Sequence, residues 1–231
     1  MKTLQCVLFV FCVVSSVTQA TLLPQNMGLP ANSLDINSAS TATIATPLII
    51  GYIDFPPLYN TENNKVSGLL FHTSQQVLNA LKLEYRHIAM PTNRLFSSLK
   101  SGVVNIWCGI EIEALKPHVF VGSEVLHKLT LNIYSLAPLP DIVAPSDLNG
   151  QTVILLMGYS YGGWGQYIRD GQNDVKFIEV KTHEDGLRLL KTGRFQFFLN
   201  YLAPMKEALK TIPTAELHST NLETLDIVFN V

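Results

Sequence analysis

The chain has 231 residues, 47% hydrophobic and 15% charged, with a formal net charge of −2. This balance excludes an intrinsically disordered chain and offers no basic field for nucleic acid. Three cysteines are too few for a disulfide framework of the kind that staples small secreted domains.

The first twenty residues differ from the rest. Lys2 precedes an apolar run over residues 7–14, and Ser15, Ser16 and the small-residue site Thr18-Gln19-Ala20 follow. That order is the pattern of a secretory signal peptide over residues 1–20; a buried N-terminal helix is the competing reading. The run is too short to span a bilayer, and no other stretch reaches the roughly 18 apolar residues a transmembrane helix needs. Cleavage after Ala20 would remove Cys6 and Cys12 and leave Cys108 alone, expected as a buried thiol at a strand end. Neither Cys6 nor Cys12 follows the small residue of a lipoprotein signal. Residues 21–46, rich in Ser, Thr, Ala, Asn and Pro, read as a flexible leader.

Regular patterning begins at Pro47. Residues 48–53 read as a strand that breaks at Asp54 into the corner Phe55-Pro56-Pro57-Leu58-Tyr59. Two prolines cannot donate to a ladder, so the corner leaves two aromatic rings at the carboxyl end of a strand, where open α/β sheets bind ligands. Leu69, Leu70, Val77, Leu78 and Leu81 recur at helical spacing, and residues 84–90 form the next strand, completing a βαβ unit. Pro91-Thr92-Asn93 starts a second helix, with Leu95, Phe96 and Leu99 on one face and Gly102 past its end, followed by a strand over 103–108. Two such units imply a parallel sheet. A helical turn near 111–115, a short strand over 118–121 and a long alternating strand over 129–136 come next. Residues 137–141, Ala-Pro-Leu-Pro-Asp, mark the first crossing into a second lobe.

That lobe is expected to hold strands over 151–157, 175–180 and 195–200 and helices ending at Asp170, over 183–192 and over 203–210. A last strand over 225–229 returns to the first lobe. The division is residues 47–136 with 225–231 for lobe 1 and 137–224 for lobe 2.

Several motifs have two readings. Gly158-Tyr159-Ser160-Tyr161-Gly162 matches G-x-S-x-G between a strand and a helix, the context of a hydrolase nucleophile elbow with Ser160 as nucleophile. Only His183 and His218 lie downstream as bases, with Asp185 and Glu216 nearby, and no His-Gly oxyanion motif precedes the serine. The alternative is a turn that presents the N–H groups of Tyr159, Ser160 and Tyr161 to an anion. Arg94, in the first turn of its helix, opposes the dipole and is either an exposed residue or an anion clamp. Tyr161, Trp164 and Tyr201 serve either packing or the walls of a cleft. No Gly-Lys-Ser/Thr follows the glycine-rich turn, and the six histidines show no HExxH pairing, so neither a nucleotide nor a metal is expected.

Taken together, Ile50-Gly51-Tyr52 through Phe55-Pro56-Pro57-Leu58-Tyr59, Val66-Ser67-Gly68 and Leu99-Lys100-Ser101-Gly102-Val103-Val104-Asn105 resemble the opening of bacterial extracellular solute-binding proteins of family 3. Asp147-Leu148-Asn149-Gly150-Gln151-Thr152-Val153 and Thr192-Gly193-Arg194-Phe195-Gln196 resemble that family's second-lobe signatures, so the likeness runs from Leu48 to about Phe229. The resemblance implies an α/β, type II periplasmic-binding-protein-like fold, two α/β lobes with a ligand cleft between them. It implies capture of a small polar solute, an amino acid or related organic anion, by lobe closure. It also implies no enzymatic activity, no cofactor, a periplasmic monomer, and an inner-membrane ABC permease or sensor as partner.

By position, the resemblance places Phe55 and Tyr59 over the ligand and Cys108, Gly109 and Glu111 in a contacting loop. It places Tyr159, Ser160 and Tyr161 at the second lobe's helix start and Tyr201 at the position of the usual ammonium-binding aspartate. The usual carboxylate-binding arginine falls at Leu115 or Lys116, so Arg94 becomes the candidate replacement, and Arg94 together with Gly158-Tyr159-Ser160-Tyr161-Gly162 is similar to an orphan branch of the family. Family members continue past the last strand into one or two helices, and this chain stops there.

Overall fold

The computed structural model describes residues 46–62 and 65–231. The signal-peptide expectation, and all of the leader but its last residue, lie outside the described residues.

The apolar run after Pro47 forms β1 (Leu48–Tyr52). β2 (Asn60–Glu62) and β3 (Lys65–Ser67) make a small antiparallel hairpin beyond the proline corner. α1 (Leu69–Ala80) then buries Leu70, Ser74 and Leu78, one residue per turn, which is the stripe a helix lays on a sheet. β4 (Tyr85–Ala89) returns parallel to β1, in register from Leu48 opposite Tyr85 to Tyr52 opposite Ala89. α2 (Thr92–Lys100) buries Leu95 and Leu99 as predicted.

The next strand departs from the sequence reading. Val103 is exposed, and the strand is β5 (Trp107–Ile110) rather than 103–108. The apolar residues before it are used differently: Asn105 and Ile106 donate their N–H groups to the Ile49 carbonyl at 2.8 and 3.1 Å, and Gly51 donates to the Ile106 carbonyl at 2.9 Å. This short parallel bridge ties the β1–β4 pair to β5. A 3₁₀ turn, Glu113–Leu115, follows. The strand expected over 118–121 is reduced to a single bridge between Val121 and Asn230, flanked by reciprocal backbone bonds between Phe120 and Val231.

β6 (His127–Ser135) leads to a 3₁₀ turn, Pro145–Leu148, and then to β7 (Thr152–Leu156), α3 (Gly162–Arg169) and β8 (Lys176–Val180). α4 (His183–Lys191) is capped by Thr182, whose hydroxyl accepts from the Asp185 N–H at 3.0 Å. β9 (Phe197–Tyr201) runs directly into α5 (Leu202–Thr211), and β10 (His218–Asn230) closes the chain.

β10 extends well beyond the five residues predicted for it. Its polar first part, His218 to Asn221, pairs antiparallel with β6, an edge-on partnership that hydrophobicity does not signal, and the register shifts between Asn221 and Glu223. Its apolar end, Ile227 to Asn230, pairs antiparallel with β5. A six-stranded sheet results, in the order β5-β10-β6-β9-β7-β8, with β9, β7 and β8 parallel to one another. Apolar residues of both halves merge in one core, and Leu95, Leu99, Val104, Trp107 and Leu115 form a satellite cluster beneath α2.

Candidate functional site

At the carboxyl end of β1 the Phe55-to-Tyr59 corner folds back on itself, with Phe55 and Tyr59 joined as an isolated bridge. Pro56 and Pro57 sit within this turn, and the Leu58 carbonyl accepts from the Leu70 N–H at 3.1 Å. The corner is therefore fixed to the start of α1. It carries the Phe55 ring outward, where it meets two rings of the other half: Tyr159 with centroids 4.9 Å apart and Tyr201 at 5.4 Å, edge-on. Tyr59 turns inward, and its hydroxyl donates to the Cys108 carbonyl at 3.0 Å. Burial raises both its pKa and that of the Cys108 thiol, the latter to about 12. Cys108 is thus the buried thiol expected of it, but inside β5 and not at a strand end.

Behind this aromatic contact lies a cavity of about 50 Å³, bordered by Phe55, Tyr59, Cys108 and Gly109 from the first half and by Tyr159, Ser160 and Tyr201 from the second. Thr92, Phe96 and Trp107 also border it, among further apolar residues. In this arrangement it has room for a few waters. Seven of the ten residues singled out from sequence meet here. Gly109 serves it indirectly: a side-chain carbon there would strike the Trp107 ring at 2.0 Å, so the glycine seats the indole.

The other three are placed elsewhere. Arg94 is exposed and does not border the cavity; the residue of its helix turn that does is Thr92, whose hydroxyl approaches the α-carbon of Gly158 so closely that an added Cβ would lie 3.1 Å away. Glu111 borders a different hollow, of about 300 Å³ beside β10, and pairs with Lys116 at 2.6 Å. That pair, with Glu113, raises the Lys116 pKa through hydrogen bonding and charge. Tyr161 is fully buried behind the cavity, in the left-handed region at φ 59°, and its hydroxyl accepts the Leu156 N–H at 2.7 Å.

The glycine-rich turn is built by packing. Arg169, at the end of α3, reaches back to the turn: Nε and Nη2 donate to Glu179 Oε1 at 2.9 and 2.8 Å, and Nη2 also donates to the Tyr159 carbonyl at 2.8 Å. Gly165 allows this folding, because a side-chain carbon there would come within 1.9 Å of the Ser160 carbonyl oxygen. One of the three N–H groups proposed for an anion is engaged: Tyr159 donates to the Leu156 carbonyl at 3.3 Å. The Tyr201 ring stacks on that of Tyr161 with centroids 5.5 Å apart. Burial raises the Tyr201 pKa, so this group is a neutral phenol at the helix start.

For Ser160 to act as a nucleophile it would need a base within hydrogen-bond reach. The ring nitrogens of His183 are turned elsewhere: Nδ1 to the Asn200 side-chain amide at 2.8 Å and Nε2 to the Tyr159 hydroxyl at 3.3 Å. The signal that sequence reading missed is the helical spacing that puts Phe96 on the same side as Thr92, together with Trp107 at the head of β5. Among the described residues no group of three or more metal-ligating side chains occurs, and no helix is long and apolar enough to cross a membrane.

No family description and no curated protein matches this chain. Solved structures do. The arginine-bound form of truncated ArgBP from T. maritima aligns over 80% of this chain and 87% of its own, at 19% identity and a TM-score of 0.60. A substrate-binding protein of an amino acid ABC transporter aligns over 80% and 85%, at 16% identity and 0.59. The GluR0 ligand-binding core in complex with L-glutamate aligns over 81% and 85%, at 12% identity and 0.64. At such identities the likeness speaks to architecture, and the architecture is the type II periplasmic-binding-protein-like fold: two α/β halves with a cleft where Phe55 meets Tyr159 and Tyr201.

Proposed function

We propose that the protein is a non-enzymatic solute-binding protein that captures a small molecule between two lobes, residues 47–136 with 225–231 and residues 137–224, and presents it to an inner-membrane ABC permease or a sensor. On this reading it is exported through a cleaved signal peptide and works as a monomer in the periplasm. The observation that carries the proposal is the meeting of Phe55 with Tyr159 and Tyr201 over the cavity, because aromatic faces from opposite halves are what a hinge-closing binder brings together around its guest. The engagement of His183 by Asn200 and Tyr159 favours binding over hydrolysis at Ser160.

The test is a thermal-shift screen of the purified protein against amino acids, organic acids, sugars and neutral ring compounds. A ligand present at one hundred times its Kd stabilises by about 2.7 kcal/mol, a clear rise in melting temperature. A screen with no hit in any class overturns the binding reading, and covalent labelling of Ser160 by a fluorophosphonate probe would put hydrolysis in its place.

A further inference from the structure

The side chains that border the cavity are uncharged. Of the charged groups around it, Asp54 accepts from the Thr61 N–H and hydroxyl at 3.0 and 2.9 Å, Arg169 is committed to Glu179 and the turn carbonyls, Glu111 is held by Lys116, Arg94 stands exposed outside, and Glu223, whose charge helps raise the Tyr201 pKa, does not border the cavity. A zwitterionic guest would leave two charges stripped of water with nothing opposite them, which low-polarity surroundings oppose strongly.

Some hydrogen-bonding groups at the cavity are spent as well. The hydroxyl of Tyr59 is donated to Cys108 and that of Tyr159 faces His183. One donor is both buried and unpaired. Trp107 is 4% exposed, borders the cavity, and its indole Nε1–H has no hydrogen-bond partner among the described residues. An indole N–H can only donate, and a buried donor without an acceptor is unfavourable, so this position calls for an acceptor atom on whatever enters.

From these observations, and resting on the solute-binding reading above, we propose that the cleft takes an uncharged ring compound carrying a hydrogen-bond acceptor, its ring between Phe55 and Tyr159 and its acceptor on the Trp107 indole N–H. The two rings lie 4.9 Å apart at 34°, in direct contact. A planar guest must therefore part them, and Phe55 occupies its place until it arrives. The solved structures bound to arginine and to L-glutamate would differ from this chain in the charge their guests carry.

The experiment is isothermal titration calorimetry on the protein with four probes: benzamide, a neutral ring with a carbonyl; toluene, the same ring without an acceptor; and the zwitterions L-phenylalanine and L-arginine. Benzamide is expected to bind at least tenfold more tightly than either amino acid. Trp107→Phe is expected to weaken benzamide at least tenfold and to leave toluene within twofold. Should Trp107→Phe fold poorly, the indole N–H resonance of Trp107 in the unmutated protein gives the same answer, moving downfield on addition of benzamide and staying in place with toluene. Tighter binding of L-phenylalanine or L-arginine than of benzamide overturns the ligand class while leaving the solute-binding reading intact. Absence of benzamide binding, or an indole resonance that does not move, also overturns the ligand class; the binding reading itself falls only if the broad thermal-shift screen is empty too.

Discussion

Arg169 donates from Nη2 to the carbonyl of Tyr159 at 2.8 Å, ten residues back along the chain, while the same guanidinium holds Glu179 on β8. Its Cζ also lies 5.8 Å from the centre of the Tyr161 ring. The turn that carries Tyr159 and Ser160 to the cavity is thus fixed from behind by one cation.

Removing that cation should loosen the turn and leave Glu179 unpaired. The pair is about 30% exposed on each side, so solvent screens part of it, and Arg169→Ala is expected to cost about 1–3 kcal/mol. Arg169→Lys should recover less than half of the loss, since an ammonium cannot fork between a carboxylate and a backbone carbonyl. Urea denaturation of the three proteins checks this; a midpoint unchanged in Arg169→Ala would show the contact to be idle.

Two glycines of the same helix should respond in opposite directions. Gly165→Ala places a carbon 1.9 Å from the Ser160 carbonyl oxygen and should destabilise by about 1–3 kcal/mol, because backbone rather than a flexible side chain must move. Gly163 has open space around the same position, and Gly163→Ala should be neutral or stabilising by up to about 1 kcal/mol. Melting temperatures of the two variants, measured side by side, decide it.

Stability should fall as the solution becomes acidic. Burial holds the pKa values of His183 and His87 below the ordinary 6.5; for His183, the charges of Glu184 and Asp54 oppose part of that shift. Both rings are therefore neutral in the folded chain at a pH where the unfolded chain already binds a proton. The stabilisation is fully present above about pH 6.5 and is lost as pH falls from there through the folded values, at no more than about 1.4 kcal/mol per pH unit for each ring. His183→Gln should flatten the dependence of the urea midpoint between pH 7 and pH 5. An unchanged slope would place the titration elsewhere.

Cys108 should resist thiol reagents until the protein unfolds. It is 1% exposed, and burial pushes its pKa to about 12, so the reactive thiolate is scarce at neutral pH. Peptide mapping after brief maleimide treatment should find Cys108 unmodified in buffer and modified in denaturant. Rapid labelling in buffer would mean that β5 opens readily.

The elements with strong periodicity are legible in the sequence. α1, α2 and α4 fall within a few residues of their predicted limits, because each lays a single apolar stripe on a sheet. Where one residue serves two neighbours the sequence misleads: Ile106 bridges to β1 before β5 begins, and the polar part of β10 is a strand only because β6 offers its ladder. At the site, the proline corner locates Phe55 at a strand end, while Tyr159 and Tyr201 are pointed to by the family resemblance and not by any local pattern. Arg94 and Glu111 could not be placed, since neither a helical position nor a loop position just past a strand says much about which way a long side chain turns. Trp107 carried no motif at all, and its place at the cavity follows only from the way it lies over Gly109.

β10 touches β5 with its last four residues and is laced to β6 along most of its length, while β6 in turn holds β9. The two halves are consequently not joined by loose cords but by a bonded ribbon, which behaves like a leaf spring. On the solute-binding proposal, an opening wide enough to admit a guest would be spread as small twists over many consecutive peptide units, each keeping its ladder partner. No single glycine stands as the pivot, so amplitude and stiffness are properties of the whole ribbon.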